Sequence, residues 1–229
     1  MRLFTAIQSS LTCRIAFGNI LSALPVPGTS AFADLCKRLK QFGLTGEKFS
    51  LETPTTRLSD VRVNIMLLQD TITLRVQYEA IEIVVPALVQ DIGVELIAVA
   101  NEALESLVEL NPNLPGGSVS VQSLAHLRLE GADPDRYMSE RLSAGDSSFV
   151  SDAFAFNMLP LPGGSLRKGR AVVARSIPFA GSLFVDYVAE YSPPESRFTQ
   201  DFVGLVRMDY DQRLALLGLG PVVFDKVKV

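Results

Sequence analysis

The chain has 229 residues, 48% of them hydrophobic, with 21 basic and 25 acidic side chains and a net charge of −4. That length allows one domain with a sizeable core. The acidic balance, with an isoelectric point near 5.1, excludes a general electrostatic pull toward nucleic acid or anionic lipid.

No run of 18 apolar residues occurs, so the sequence predicts no membrane-spanning helix. Yet the mean hydropathy is +0.26, and the surplus apolar surface must enter a larger core or a partner interface. Cys13 and Cys36 are the only cysteines. Two thiols make no disulfide framework and fit a reducing, cytoplasmic setting. The N-terminal stretch "MRLFTAIQSSLTC" is broken by Gln8, Ser9 and Ser10 and does not read as an export signal.

Residues 3–20 are β-compatible, and "LPVPGTS" (24–30) follows as a loop. Thr29 or Ser30 caps a helix over 30–42, where Phe32, Leu35, Cys36, Leu39 and Phe42 recur at helical spacing before Gly43. Residues 47–85 read as three or four strands, with Ile72, Leu74, Val76 and Tyr78 alternating against Thr71, Thr73, Arg75 and Gln77. Pro86 opens a long helix over 86–110, striped by Leu88, Ile92, Leu96, Val99, Ala103, Leu107 and Leu110. Its acids, Asp91, Glu95, Glu102, Glu105 and Glu109, read as a solvated face.

Residues 118–130 alternate as a strand, and Asp133-Pro134 starts a short helix over 134–142. The loop 143–148 is the weak internal boundary of an otherwise single domain. Strands are expected at 152–159, 170–177 and 182–191. Residues 197–217 read as a strand followed by a helix, and "VVFDKVKV" as a final strand. The fold class is therefore α+β: a mostly antiparallel or mixed sheet packed against the 86–110 helix, with shorter helices at 30–42 and 134–142.

The pentapeptide LPGGS occurs at Leu114–Ser118 and again at Leu161–Ser165. Its flanks do not match at that 47-residue offset, so the recurrence reads as one turn chemistry used twice rather than as a tandem repeat. The second copy leads into Arg167, Lys168 and Arg170. With Ser165 they form the candidate anion-binding residues, the one place suited to a local nucleic-acid or phosphate contact. The pattern is not a P-loop, because Gly169 is followed by Arg170 and a β-rich run.

His126 is the only histidine and falls mid-strand on a polar face. Asp209 and Asp211 are weak metal candidates, being carboxylates one residue apart. No catalytic residue and no cofactor is expected. The leading functional expectation is a non-enzymatic interaction or assembly subunit that meets a protein partner, or further copies of itself, through an apolar interface. One alternative is an apolar small-molecule binder with a pocket lined by Phe154, Phe156, Leu183 and Val185. Another is a metal-assisted enzyme on a phosphate-bearing substrate, using Arg167, Lys168 and Arg170 as clamps and Asp209 and Asp211 as ligands.

Overall fold

A computed structural model describes residues 4–44, 48–53, 57, 60–87, 92–112, 114, 116–129, 133–142, 153–158, 166–194, 197–220 and 222–224. The chain is α+β. Nine strands form one antiparallel sheet: β1 (Phe4–Phe17), β2 (Phe49–Glu52), β3 (Arg62–Leu67), β4 (Ile72–Gln77), β5 (Ala80–Val85), β6 (Gly116–Leu129), β7 (Ala153–Met158), β8 (Leu166–Arg175) and β9 (Ser182–Tyr191). They lie in the order β2-β3-β4-β5-β1-β6-β9-β8-β7, and a short β10 (Val222–Phe224) pairs parallel with the start of β1. The helices are α1 (Ser30–Leu39, continued by a 3-10 turn to Phe42), α2 (Gly93–Leu110), α3 (Pro134–Leu142) and α4 (Gln200–Leu216). No described helix is long and apolar enough to cross a membrane.

The topology is a repeat. A first strand, a short helix, an antiparallel three-strand meander and a long helix occur as β1, α1, β3-β4-β5, α2. They occur again as β6, α3, β7-β8-β9, α4. In each unit the last meander strand pairs antiparallel with the first strand, β5 with β1 and β9 with β6. The first strands, 14 residues each, pair antiparallel with one another and join the units into one sheet. The long helices begin at Gly93 and Gln200, about 107 residues apart. That offset is unrelated to the LPGGS spacing: the first copy runs into β6, a first strand, whereas the second lies outside the described residues, before β8. The added strand β2 covers the outer edge of β3.

All four helices cover one face. Leu35 and Leu39 of α1 and Val99, Ala103 and Leu107 of α2 pack with Ile15, Ile65, Leu74, Ile83 and Val119 of the sheet. A second cluster joins Tyr137 and Met138 of α3 and Leu214 of α4 to Phe4, Leu127, Val173, Leu183 and Val185. Alternation puts every second residue in this core. The bulge of β1 between Ala6 and Gln8 keeps Phe4 and Ala6 on the same face as Leu11, Cys13 and Ile15.

Several expectations shift. The long helix starts at Gly93, not at residue 86, because Pro86 and Ala87 form a bend after β5; Leu88 and Asp91 lie outside the described residues. Leu110 ends the helix 42% exposed rather than in the core stripe. The acidic side of α2 is not simply solvated, for Arg38 of α1 meets Glu102 at 3.6 Å, Glu105 at 3.3 Å and Glu109 at 2.5 Å, and Arg197 pairs with Glu105. The segment 197–217 is a single helix capped by Thr199, without a strand. The boundary at 143–148 falls outside the described residues. The β3–β4 turn holds Leu68, Gln69 and Asp70 at φ of 50°, 54° and 68°, a left-handed run. Leu68 N–H donating to Phe42 and Lys48 pairing with Asp70 hold it there.

Candidate interaction surface

The second face of the sheet carries none of the described helices, and strand register maps its side chains. One row crosses eight strands: Ser50, Asn64, Arg75, Glu82, Arg14, Ser120, Glu190 and Lys168 are successive cross-strand neighbours. In the first unit this row is an ionic lattice. Arg14 donates to Gln77 at 2.8 Å, Glu82 at 2.9 Å and Glu79 at 2.9 Å, and Arg75 sits 3.7 Å from Glu82. Planar guanidinium groups suit such shared contacts.

The second unit presents a different surface on that face. His126, Phe184, Ala174 and Ala153 form one row, and Leu124, Asp186, Val172 and Ala155 the next. The only charge in these two rows is Asp186, which accepts from the Gln122 amide at 2.9 Å. The β8–β9 turn extends the patch. Phe179 lies edge-on to the His126 ring at 5.0 Å, and Phe184 lies 5.1 Å from it. Ile177 at the tip is 98% exposed. His126 Nδ1 sits 2.9 Å from Ser176 Oγ, which accepts from Phe179 N–H at 3.1 Å. His126, on the polar strand face, is thus half-buried and fixes the turn; burial lowers its pKa.

Of the candidate anion residues, Lys168 and Arg170 share the open face of β8. Ser165 lies outside the described residues. Arg167 donates to Ser192 at 3.1 Å and Lys168 pairs with Glu190 at 2.9 Å. Arg170 is exposed, opposite Asn157 of β7.

Asp209 is buried beneath α4, where it accepts from Tyr187 at 2.8 Å and Tyr191 at 3.1 Å and pairs with Arg213 at 3.3 Å. Asp211 is exposed, so the two carboxylates do not converge. The described residues contain no group of three or more potential metal ligands. Asp209 belongs to the covered face and Lys168 and Arg170 to the open one, so the sheet separates the proposed phosphate clamp from the proposed metal pair. Burial raises the pKa of Tyr187, Tyr191 and Tyr210.

Leu183 and Val185 are fully buried in the packed second cluster, while Phe154 and Phe156 are half-buried beside it, with ring centroids 5.0 Å apart. An open hollow of about 410 Å³ lies elsewhere, between the end of α2 and Ile20, lined also by Asn19, Pro112 and Leu114. Burial raises the Cys13 thiol to about 12. Cys13 and Cys36 are both free. Neither a known protein family nor a curated protein matches the sequence.

Proposed function

We propose that this chain is an interaction and assembly subunit that meets a protein partner through the open sheet face of its second unit. The observation that carries this reading is the apolar patch formed by Leu124, Phe184, Val172, Ala174, Ala155 and the tip residue Ile177, on a face whose other half is an ionic lattice. A mixed antiparallel sheet ordinarily turns polar residues to water. A contiguous apolar patch rimmed by charge is the usual mark of a binding surface. The potential chemical groups have structural tasks in support of this reading: Asp209 ties two tyrosines to an arginine, and His126 holds a turn. The two free thiols suit a reducing cytoplasmic setting.

The test is cross-linked capture of the tagged chain from its source cells, compared with Ile177→Asp and Val172→Lys. Both substitutions touch the open face and leave the covered core intact. The wild type is expected to yield a defined cross-linked partner that both variants lose while keeping the native melting temperature. Equal capture by all three chains overturns the reading.

A further inference from the structure

Two cations bound the apolar patch on the open face of the second unit. Arg128 of β6 and Arg170 of β8 both belong to that face, since their chain neighbours Leu127, Leu129 and Ala171 are buried on the covered one. Both arginines are exposed, and among the described residues neither enters a hydrogen bond or an ion pair. The acids beside them are already engaged: Asp186 accepts from Gln122 and Glu190 pairs with Lys168. Ser182 is the cross-strand neighbour of Arg128. It is 2% exposed, and its buried hydroxyl has no hydrogen-bond partner.

Strand register gives the separation of the two cations. Arg170 shares a row with Val188 and Gln122, so it stands six residues from Arg128 along the strands and two strands away across the sheet. At about 3.3 Å per residue and about 4.8 Å per strand, the distance is about 22 Å. Phe184, Leu124, Val172 and Val188 lie between them, all half-buried. The β8–β9 turn, packed onto His126 through Phe179, walls the Arg128 end. The main chain beneath is fully used, for β9 pairs with β6 and β8, and β8 with β9 and β7. No partner strand can join the sheet there. A segment laid on this face must satisfy its own backbone, which a helix does and an extended chain does not.

Resting on the interaction reading above, we propose that the partner protein docks an amphipathic helix on this face, apolar along one stripe and carrying a carboxylate near each end, about four turns apart. Four turns of helix span about 22 Å. The stripe covers Phe184, Leu124, Val172 and Val188, in the mode of a helix seated by its apolar side. One carboxylate pairs with Arg128, where the Ser182 hydroxyl is a second donor, and the other pairs with Arg170. A second copy of this chain is the poorer occupant. Its matching face brings the same two unpaired cations, and its acidic helix α2 is already held by Arg38 and Arg197.

The probe is a capped synthetic helix of alanine and glutamine with a central stripe of leucines and one glutamate near each end, about 14 residues apart. Two companion peptides carry glutamine or lysine in place of both glutamates. Each is titrated into the full-length chain while backbone amides are followed by NMR. The expected result is saturable shifts confined to residues 122–128, 170–177 and 182–188, with the glutamate peptide bound about fivefold more tightly than the glutamine peptide, in line with two exposed charge pairs. The double substitution Arg128→Glu, Arg170→Glu is expected to reverse the order in favour of the lysine peptide, with the dispersion of its spectrum reporting that it remains folded. No saturable shift, shifts centred on the helical face, or an unchanged order of affinities in the double variant overturns the proposal. The same shifts arising from protein concentration alone identify a second copy as the occupant and also overturn it. The two readings fail separately. Partner capture that depends on Ile177 and Val172 without a preference for the glutamate peptide removes only the acidic helix, and equal capture by the surface variants removes the interaction reading on which it rests.

Discussion

Replacing Asp209 with alanine separates a structural carboxylate from a metal ligand. Asp209 accepts hydrogen bonds from Tyr187 at 2.8 Å and Tyr191 at 3.1 Å and faces Arg213 at 3.3 Å, all beneath α4. Truncation orphans two buried hydroxyl donors, at about 1–3 kcal/mol each. It also takes one ionic partner from the buried Arg213, at about 1.5–3 kcal/mol. These losses overlap, because the two hydroxyls lie 3.2 Å apart and can bond each other, so the expected total is about 4 kcal/mol. For a chain of this size each kcal/mol lowers the melting temperature by about 2–4 °C, giving a fall of about 8–16 °C by calorimetry. Asp209→Asn keeps an acceptor for the tyrosines and is expected to lose about half as much. A loss below about 1 kcal/mol for Asp209→Ala refutes the reasoning. So does a rise in melting temperature with millimolar Mg²⁺ or Mn²⁺ in the wild type that Asp209→Ala abolishes.

The raised pKa values of Tyr187, Tyr191 and Tyr210, set mainly by burial, place their folded-state titration above the unfolded value of about 10. Their contribution is whole below about pH 10 and is lost as pH rises past it. Absorbance at 295 nm is expected to show these three of the five tyrosines ionising only as the chain unfolds. Beyond the local backbone of α4 and its two chain neighbours, nothing lies within 4 Å of the place a methyl group would take on Gly204, so Gly204→Ala is expected to add about 1 kcal/mol in urea unfolding. Gly117→Ala is expected to cost about 1–3 kcal/mol in the same assay, because its Cβ would lie 3.1 Å from the Ala16 carbonyl oxygen across the β1–β6 junction. The Cys13 thiol, raised to about 12 by burial, is expected to stay silent to a thiol reagent at pH 8 until the chain is denatured.

Much of the fold was legible because the covered face obeys period. The helix α1, with Leu35 and Leu39 turned inward, and the strands around Val63, Leu74 and Ile83 carry their burial in their spacing. Helix α4 was obscured because Asp209 and Arg213 lie on its buried side and interrupt the stripe of Phe202, Leu205, Val206, Tyr210 and Leu214. The repeat was hidden for a related reason. It lives in strand pairing, while the one visible pentapeptide recurrence joins places that are not equivalent. The interaction surface was the least legible. Leu124, Phe184 and Val172 fall on different strands, and only the register of β6, β9 and β8 makes them neighbours. Arg167, Lys168 and Arg170 were visible as a basic run, but their relation to Asn157, and its likeness to Arg75 and Asn64, needed the sheet.

Native mass spectrometry of the untagged chain, released gently from its source cells, tests the interaction reading most directly. The account predicts a defined assembly heavier than the 24.9 kDa of one chain, containing a second protein and dissociating when Ile177 is replaced by Asp. A monodisperse 24.9 kDa monomer at its cellular concentration contradicts it.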